Sequence, residues 1–127
     1  AVHALAYPLG GIYKITHGLS NALILPYVIR FNMKDDKTRD SYLHLSDIIF
    51  PQIKHIKNLE DKTSAFVNEF INLSKRFNLP TRIRELGIPR KACKIMSIEA
   101  MKQERLLINN PIDITQVDAQ KIYEEAW

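Results

Sequence analysis

AVHALAYPLGGIYKITHGLSNALILP, residues 1–26, places His3 and His17 on either side of a break made by one proline and two glycines. In an unbroken helix the two rings would lie about 21 Å apart, since each residue adds about 1.5 Å. Pro8 removes an amide donor and clashes with the preceding turn of a helix. We therefore expect the first helix to end at Pro8 and the chain to bend there, which would let both imidazoles approach one point.

Two converging imidazoles could bind a divalent metal ion, because neutral imidazole is a common metal ligand. The competing interpretation is that His3 and His17 are hydrogen-bonded structural residues, as histidines near apolar helix faces often are. The spacing alone leaves both interpretations open.

The composition is typical of one compact domain, which we expect to comprise residues 1–127. Hydrophobic residues make up 46% of the 127-residue chain, enough for a modest core. The single cysteine, Cys93, excludes an intrachain disulfide and a cysteine-rich zinc site, and suits a structural residue in a reducing compartment. The chain has no apolar stretch of the ~18 residues that a membrane span needs, and its opening lacks the features of a signal peptide. We therefore expect a cytoplasmic protein with no membrane partner.

Helical signals extend along almost the whole chain, and no alternating strand pattern of useful length is present. Thr16 has the side chain of an N-cap for the second helix, and the charged residues 33–39 predict a loop. Apolar residues at helical spacing between residues 42 and 56 predict a helix that Pro51 interrupts. We predict an all-α fold in which helices pack on helices.

The second half of the chain carries clearer start and stop signals. Asn58 with Asp61, and Thr115 with Asp118, are typical of helix-capping pairs. The glycine at position 87 is suited to closing a short helix, and the proline at position 89 is suited to opening the next helix. The apolar residues expected to face inward from the last helix are Val117, Ile122 and Trp127. The predicted helices span residues 1–8, 16–32, 59–77, 82–86 and 89–105, and the last begins after Thr115.

The segment HALAYPLGG, residues 3–11, followed by THGLSNALILPYVIRFN, residues 16–32, resembles the metal-binding stretch of the iron-containing, or group III, alcohol dehydrogenases. Three later segments are similar to other parts of the same family. Residues 79–88 resemble its Leu-Arg-Glu-Leu-Gly turn, residues 109–111 its Asn-Pro loop, and residues 122–127 its closing helix. The resemblance covers essentially the whole chain.

This resemblance implies the fold of the C-terminal helical domain of these enzymes, a domain that is dehydroquinate synthase-like. Residues 1–127 would then be the C-terminal fragment of a two-domain enzyme, whose absent N-terminal α/β domain binds NAD(P). In the family, four protein ligands hold Fe²⁺ or Zn²⁺. His3 and His17 would be two of these ligands, and the other two, an Asp and a His, would lie upstream.

The activity that the resemblance implies is the interconversion of an alcohol and an aldehyde or ketone by hydride transfer, performed by the whole enzyme and not by this fragment alone. The substrate would be a small alcohol or carbonyl compound, and the full-length enzyme a homo-oligomer. Many family members have a histidine where this chain has Tyr7, close to nicotinamide and substrate, and residues 106–110 would border the same pocket. His44 and His55 match no functional position of the family.

Two other functions remain open from the sequence. A net charge of +4 and a dense basic group are compatible with nucleic-acid binding, although we expect this group to solvate a surface and expect no nucleic-acid partner. The group comprises Arg82, Arg84, Arg90, Lys91 and Lys94. The other alternative is a noncatalytic helical interaction module that descends from the dehydrogenase domain.

Overall fold

The computed structural model describes residues 1–127, which form seven α-helices and no strand. The all-α prediction is therefore confirmed. None of these helices is both long enough and apolar enough to cross a membrane. Two one-turn 3₁₀ helices, Pro51–Ile53 and Ile83–Leu86, lie between the α-helices. The α-helices are α1 (Val2–Tyr13), α2 (His17–Asn32), α3 (Asp36–Ile49), α4 (Leu59–Arg76), α5 (Ala92–Met101), α6 (Glu104–Leu107) and α7 (Gln116–Ala126).

The main hydrophobic core lies between α1, α2, α5 and α7. Tyr27 of α2 and Tyr123 of α7 are its largest fully buried side chains. Burial of the hydrophobic side chains of this core is the main force that holds the four helices together. Other buried members of this core are Leu5, Leu9, Ile24, Val28, Ile83, Cys93, Met96 and Ile122.

A second, smaller core lies at the C-terminal end of α2, where α3 and α4 pack against it. The rings of Phe50, Phe66 and Phe70 pack edge to face, with centroids 5.2 to 6.0 Å apart. Lys62 of α4 forms an ion pair of 2.6 Å with Asp47 of α3. The N-terminal end of α2 takes no part in this second core.

Pro8 does not end the first helix, so that prediction is wrong. α1 continues to Tyr13, and Pro8 is buried inside it. The missing amide leaves the carbonyl of Ala4 without its helical donor. The hydroxyl of Tyr123 in α7 donates to the next carbonyl, that of Leu5, at 2.6 Å. Packing against α2, α5 and α7 keeps α1 helical across the proline, and the local sequence does not encode that packing.

The charged stretch predicted as a loop is partly helical, because α3 begins at Asp36. The Asp35 carboxylate accepts the amide of Thr38 at 2.8 Å, which is an N-cap bond. Asp36 adds a negative charge in the first turn, where it interacts favourably with the helix dipole. Only residues 33–35 connect α2 to α3. The two adjacent aspartates were the sequence signal for this helix start.

The single helix predicted over residues 89–105 is two shorter helices. Pro89 belongs to a turn that precedes α5, whose first residue is Ala92. α5 ends at Met101, and Gln103 is the N-cap residue of the one-turn α6. Proline therefore stands just before the helix and not at its first position.

Most of the predicted caps are confirmed. Asn58 accepts the amide of Asp61 at 3.0 Å, although the reciprocal bond of a full capping box is absent. Thr115 and Asp118 form a complete capping box at the start of α7. Gly87 closes the second 3₁₀ helix in the left-handed conformation, with φ 73°.

The inward face of α7 is only partly as predicted. Its buried residues recur with the helical spacing i, i+3, i+4 and i+7. Val117 lies off that stripe and is 62% exposed, so its predicted inward orientation is wrong. Ile122 is buried and Trp127 is partly buried against the main core, as expected. The buried residues of α7 are Ala119, Ile122, Tyr123 and Ala126.

The arginines of the basic group pack against the aromatic end of the chain. Trp127 donates its indole N–H to the carbonyl of Ile88 at 2.8 Å. The guanidinium groups of Arg84 and Arg90 lie 5.7 and 5.9 Å from the centroid of the Trp127 ring. Arg82 donates to a backbone carbonyl in the last turn of α7. Each of these three arginines therefore contacts Trp127 or the last turn of α7.

Tyr123→Phe tests the bond between α7 and α1. Burial raises the pKa of the Tyr123 hydroxyl, so this group stays protonated and donates to the Leu5 carbonyl. Loss of this donor should lower the free energy of unfolding by about 1 kcal/mol, measured by urea denaturation. Tyr13→Phe is the control, because the Tyr13 hydroxyl makes no hydrogen bond in the structure. Equal effects of the two substitutions would contradict the proposed role of this bond.

Asp118→Asn tests the capping box as a function of pH. Hydrogen bonds from Thr115 hold the pKa of the Asp118 carboxyl below its usual value, which is about 3.9. The carboxylate therefore adds stability above that value, and the contribution is lost as pH falls through the folded pKa. We expect the variant to be less stable by about 0.5 kcal/mol at neutral pH, and the difference to shrink in acid. Asp113→Asn, at an exposed site without hydrogen bonds, should show no such change in thermal denaturation.

Candidate metal centre

The chain reverses direction between α1 and α2 at residues 14–16, not at Pro8 as predicted. Lys14 adopts the left-handed conformation, with φ 59°. The amides of Lys14 and Ile15 donate to carbonyls in the last turns of α1, at 3.0 and 3.1 Å. These bonds satisfy carbonyls that the end of a helix would otherwise leave free.

Gly10 lies inside α1, next to this reversal, and is not a hinge. A Cβ atom added at Gly10 would lie 3.4 Å from the carbonyl oxygen of Ile15, so the returning segment passes directly over this residue. Thr16 is the extended N-cap residue of α2, as predicted, but its side chain makes no capping hydrogen bond. Because residues 15–16 run back along α1, α2 begins beside α1 and His17 returns towards His3.

The rings of His3 and His17 lie close together, with centroids 5.3 Å apart and planes at 45°. Their predicted convergence is therefore confirmed, although a different turn produces it. Two imidazoles that bind one ion at about 2.1 Å with a tetrahedral angle have ring centroids about 5 Å apart. Both side chains are exposed, so an ion and further ligands can reach them. The pair fits a divalent ion in spacing and in donor chemistry.

Tyr7 lies one turn after His3 in α1 and is 56% exposed. It lines an open cleft of about 280 Å³ together with His17. On its other side is a groove of about 220 Å³ that Glu99 and Gln103 help to form. Residues 106–110, expected to border the substrate pocket, line neither of these two clefts. The remaining lining residues of the first cleft are Ala6, Gly10, Gly11, Ile15 and Ser20.

Asn21 is a member of this centre that the sequence reasoning did not identify. Its Nδ2 atom lies 3.0 Å from Nε2 of His17 and 2.9 Å from the His17 carbonyl oxygen. Its Oδ1 atom is buried and has no hydrogen-bond partner. The i, i+4 spacing of His17 and Asn21 was the available signal, since residues four apart on a helix are neighbours.

No other potential ligand joins the pair. Residues 1–127 contain no group of three or more His, Cys, Asp or Glu side chains that could hold a metal ion. His44 and His55 are exposed and lie outside the centre. Cys93 is buried in the main core, where burial raises the pKa of its thiol, so it is a structural residue as expected.

A second feature missed from the sequence is a reciprocal pair of amide hydrogen bonds between Asn32 and Asn110. The two side chains donate to each other at 2.7 and 3.1 Å, and Asn110 also donates to the carbonyl of Ile112 at 2.8 Å. Asn32 is 2% exposed, so these bonds satisfy a buried polar group. They fix the loop after α6 to the C-terminal end of α2, the end opposite His17.

The family of the chain follows from comparison with known proteins. The family model described as "Fe-containing alcohol dehydrogenase family, C-terminal" matches residues 1–127. The chain therefore belongs to the Fe-containing alcohol dehydrogenase family, and the resemblance predicted from the sequence is confirmed. It is 33% identical to long-chain-alcohol dehydrogenase 1 of Geobacillus thermodenitrificans, over 99% of this chain and 31% of that protein. It is 28% identical to lactaldehyde reductase of Escherichia coli, over 99% of this chain and 32% of that protein.

Solved structures support the same assignment. The fold matches a crystal structure of 1,3-propanediol oxidoreductase with a TM-score of 0.85 and 25% identity, over 99% of this chain and 32% of that one. An alcohol dehydrogenase from Oenococcus oeni matches with a TM-score of 0.85 and 28% identity, with the same coverage of 99% and 32%. The chain thus spans about a third of the length of these relatives.

Lys14→Gly tests the turn that returns His17 to His3. Lys14 has a positive φ, which costs a side-chain-bearing residue more than glycine. We expect the variant to be more stable by about 0.5–1 kcal/mol in urea denaturation. Lys102→Gly is the control, since Lys102 is the C-cap residue of α5 with φ −70° and should lose stability as glycine, through backbone entropy and through loss of its ion pair with Glu99. A loss of stability in Lys14→Gly would contradict the role assigned to this turn.

Proposed function

We propose that the chain is the helical, metal-binding domain of an NAD(P)-linked, metal-dependent alcohol dehydrogenase, with His3 and His17 as two ligands of Fe²⁺ or Zn²⁺. The observation that supports this proposal is the 5.3 Å separation of the two exposed rings, which suits a shared ion. Membership of the Fe-containing alcohol dehydrogenase family points to the same chemistry. Both rings are exposed, whereas a structural histidine is usually buried among its hydrogen-bond partners.

In the proposed reaction, the residues of this chain would bind the metal ion and orient the substrate. When bound, the ion would polarise an alcohol or carbonyl oxygen, and NAD(P) would accept or supply the hydride. His3 and His17, on separate helices, would hold the ion between α1 and α2. The cleft beside His17 is open and partly apolar, as a site for a small alcohol, aldehyde or ketone requires.

We propose that Tyr7 is the residue of this chain that contacts the substrate. Its hydroxyl can donate a hydrogen bond to a substrate oxygen or to a water molecule in the cleft that it shares with His17. A phenol is a poorer proton acceptor at neutral pH than the imidazole found here in many relatives. We therefore propose that Tyr7 orients the substrate, and that proton transfer depends less on this position than in those relatives.

The rest of the proposed site lies outside this chain. The chain has no strand followed by a glycine-rich phosphate turn, and it spans about a third of its relatives' length. We propose that residues 1–127 form one domain, and that an N-terminal α/β domain binds NAD(P) and supplies the remaining Asp and His ligands. We expect the complete enzyme to be a cytoplasmic homo-oligomer.

Zn²⁺ titration of the 127-residue chain tests the two ligands directly. A four-ligand zinc site provides ~10–16 kcal/mol, so two imidazoles should provide roughly half. This corresponds to a dissociation constant of about 1 µM to 0.2 mM. His3→Ala and His17→Ala should each abolish this binding in calorimetry, whereas His44→Ala should leave it unchanged.

Two outcomes would overturn the proposal. Tight binding that survives loss of His3 or His17 would mean that other residues hold the ion. Absence of metal-dependent alcohol oxidation after the chain is joined to its proposed N-terminal domain would instead favour a noncatalytic interaction module. In the joined protein, Tyr7→His should retain activity, and Tyr7→Ala should raise the Michaelis constant more than it lowers kcat.

A further inference from the structure

The outer face of α3 is apolar, although no other part of the chain covers it. Leu45, Ile48 and Ile49 are spaced i, i+3 and i+4, so they form one stripe along this helix. All three are exposed, and Ile48 is the most exposed at 68%. On the inner side of α3, Leu43 and Ser46 are the only buried residues. The C-terminal half of α3 therefore has apolar side chains on both sides, as is typical of a helix that packs between two partners.

The apolar surface continues from α3 onto the C-terminal half of α4. Ile49 and Leu73 line one groove of about 220 Å³. Phe77 follows Leu73 by one helical turn, and both side chains are exposed. A contiguous group of large exposed apolar side chains commonly marks a protein interaction site. We call this group the α3–α4 patch, which comprises Leu45, Ile48, Ile49, Leu73 and Phe77.

Two opposite charges flank Leu73 on α4. Glu69 and Arg76 line the same groove as Leu73 and lie about 10.5 Å apart along the helix. Neither forms an ion pair within the chain, and Glu69 accepts one hydrogen bond, from Gln52 at 2.8 Å. A second copy of α4 that runs antiparallel to the first, about a two-fold axis near Leu73, would place each Glu69 opposite the Arg76 of the other copy.

We propose that the α3–α4 patch binds a second copy of this chain through a two-fold interface. Such an interface requires a surface that is complementary to itself. An apolar centre between one acidic and one basic side chain meets this requirement, because rotation about the axis exchanges the two charges. The patch shares no residue with the two clefts beside Tyr7, so pairing leaves the candidate metal centre unchanged. The proposal concerns association alone and does not depend on a metal ion.

Sedimentation equilibrium of the 127-residue chain without metal tests this association. We expect the mass of two copies, with a dissociation constant on the order of 10 µM because the patch is small for an interface. The mass of one copy at all concentrations up to about 0.3 mM would overturn the proposal.

Ile48→Glu tests whether the α3–α4 patch is the surface used. A charge at the centre of the interface should raise the dissociation constant about 10-fold or more. Val117→Glu is the matched control, since Val117 is 62% exposed on α7, outside the patch, and should leave the constant unchanged. Both variants should keep the circular dichroism of the folded chain, because neither side chain is buried. Equal effects of the two substitutions would mean that another surface associates, and the proposal would be wrong.

Charge exchange tests the two-fold arrangement itself. Glu69→Arg and Arg76→Glu should each weaken the dimer about 10-fold, because each places like charges opposite one another at two points. An equal mixture of the two variants should associate as the unmodified chain does, since each supplies the charge that the other lacks. No pairing within one copy produces that result. A mixture that remains as weakly associated as the separate variants would overturn the proposal.

The chain joined to its proposed N-terminal domain distinguishes a second copy from that domain as the occupant of the patch. Ile48→Glu should lower the number of copies in the assembly of the joined protein, measured by light scattering. An unchanged number of copies would mean that the N-terminal domain covers the patch, and would contradict the proposal. None of these measurements involves metal binding or activity, so failure of the proposed function and failure of this proposal can be told apart.

Discussion

The burial of α1 on three sides is the constraint on which the rest of the structure depends. Helices α2 and α5 pack along it, α6 contacts it, and Tyr123 of α7 bonds to its backbone. Ala4, Leu5 and Leu9 are consequently fully buried. Three of the exposed positions of α1, His3, Tyr7 and Gly11, recur every four residues and form a single stripe, and Ile12 beside Gly11 is the fourth. The core therefore determines which residues of α1 are open to a ligand.

The two ends of α2 lie in different surroundings. Its N-terminal end carries His17 and Asn21 and is open to solvent. Its C-terminal end, about 22 Å away at 1.5 Å per residue, joins the second core and the Asn32–Asn110 pair. Since α2 is continuous, the second core can anchor the helix without crowding the candidate metal centre. Because of this separation, the unsatisfied Oδ1 acceptor of Asn21 and the exposed ring of His17 lie at the end of α2 that the second core does not contact.

The fold and the candidate site were predictable from the sequence to different degrees. Asn58, Thr115 and Gly87 gave correct boundaries, because a cap is a bond between residues three or four apart. The course of the chain at Pro8 was not predictable, because α1 remains helical through packing against helices distant in sequence. The role of Arg84 was hidden for the same reason, since its partner Trp127 lies 43 residues later.

By itself, the sequence determined the all-α fold, most of the helix starts, the family, and the two histidines as a candidate pair. These properties depend on residue type and local spacing, which a sequence displays directly. Only the tertiary structure decided that Lys14 and not Pro8 reverses the chain, that the two rings lie 5.3 Å apart, and that the side chain of Asn21 is hydrogen-bonded to one of them. Each of these depends on how the chain passes back over α1, and that path is set by packing among residues far apart in the sequence.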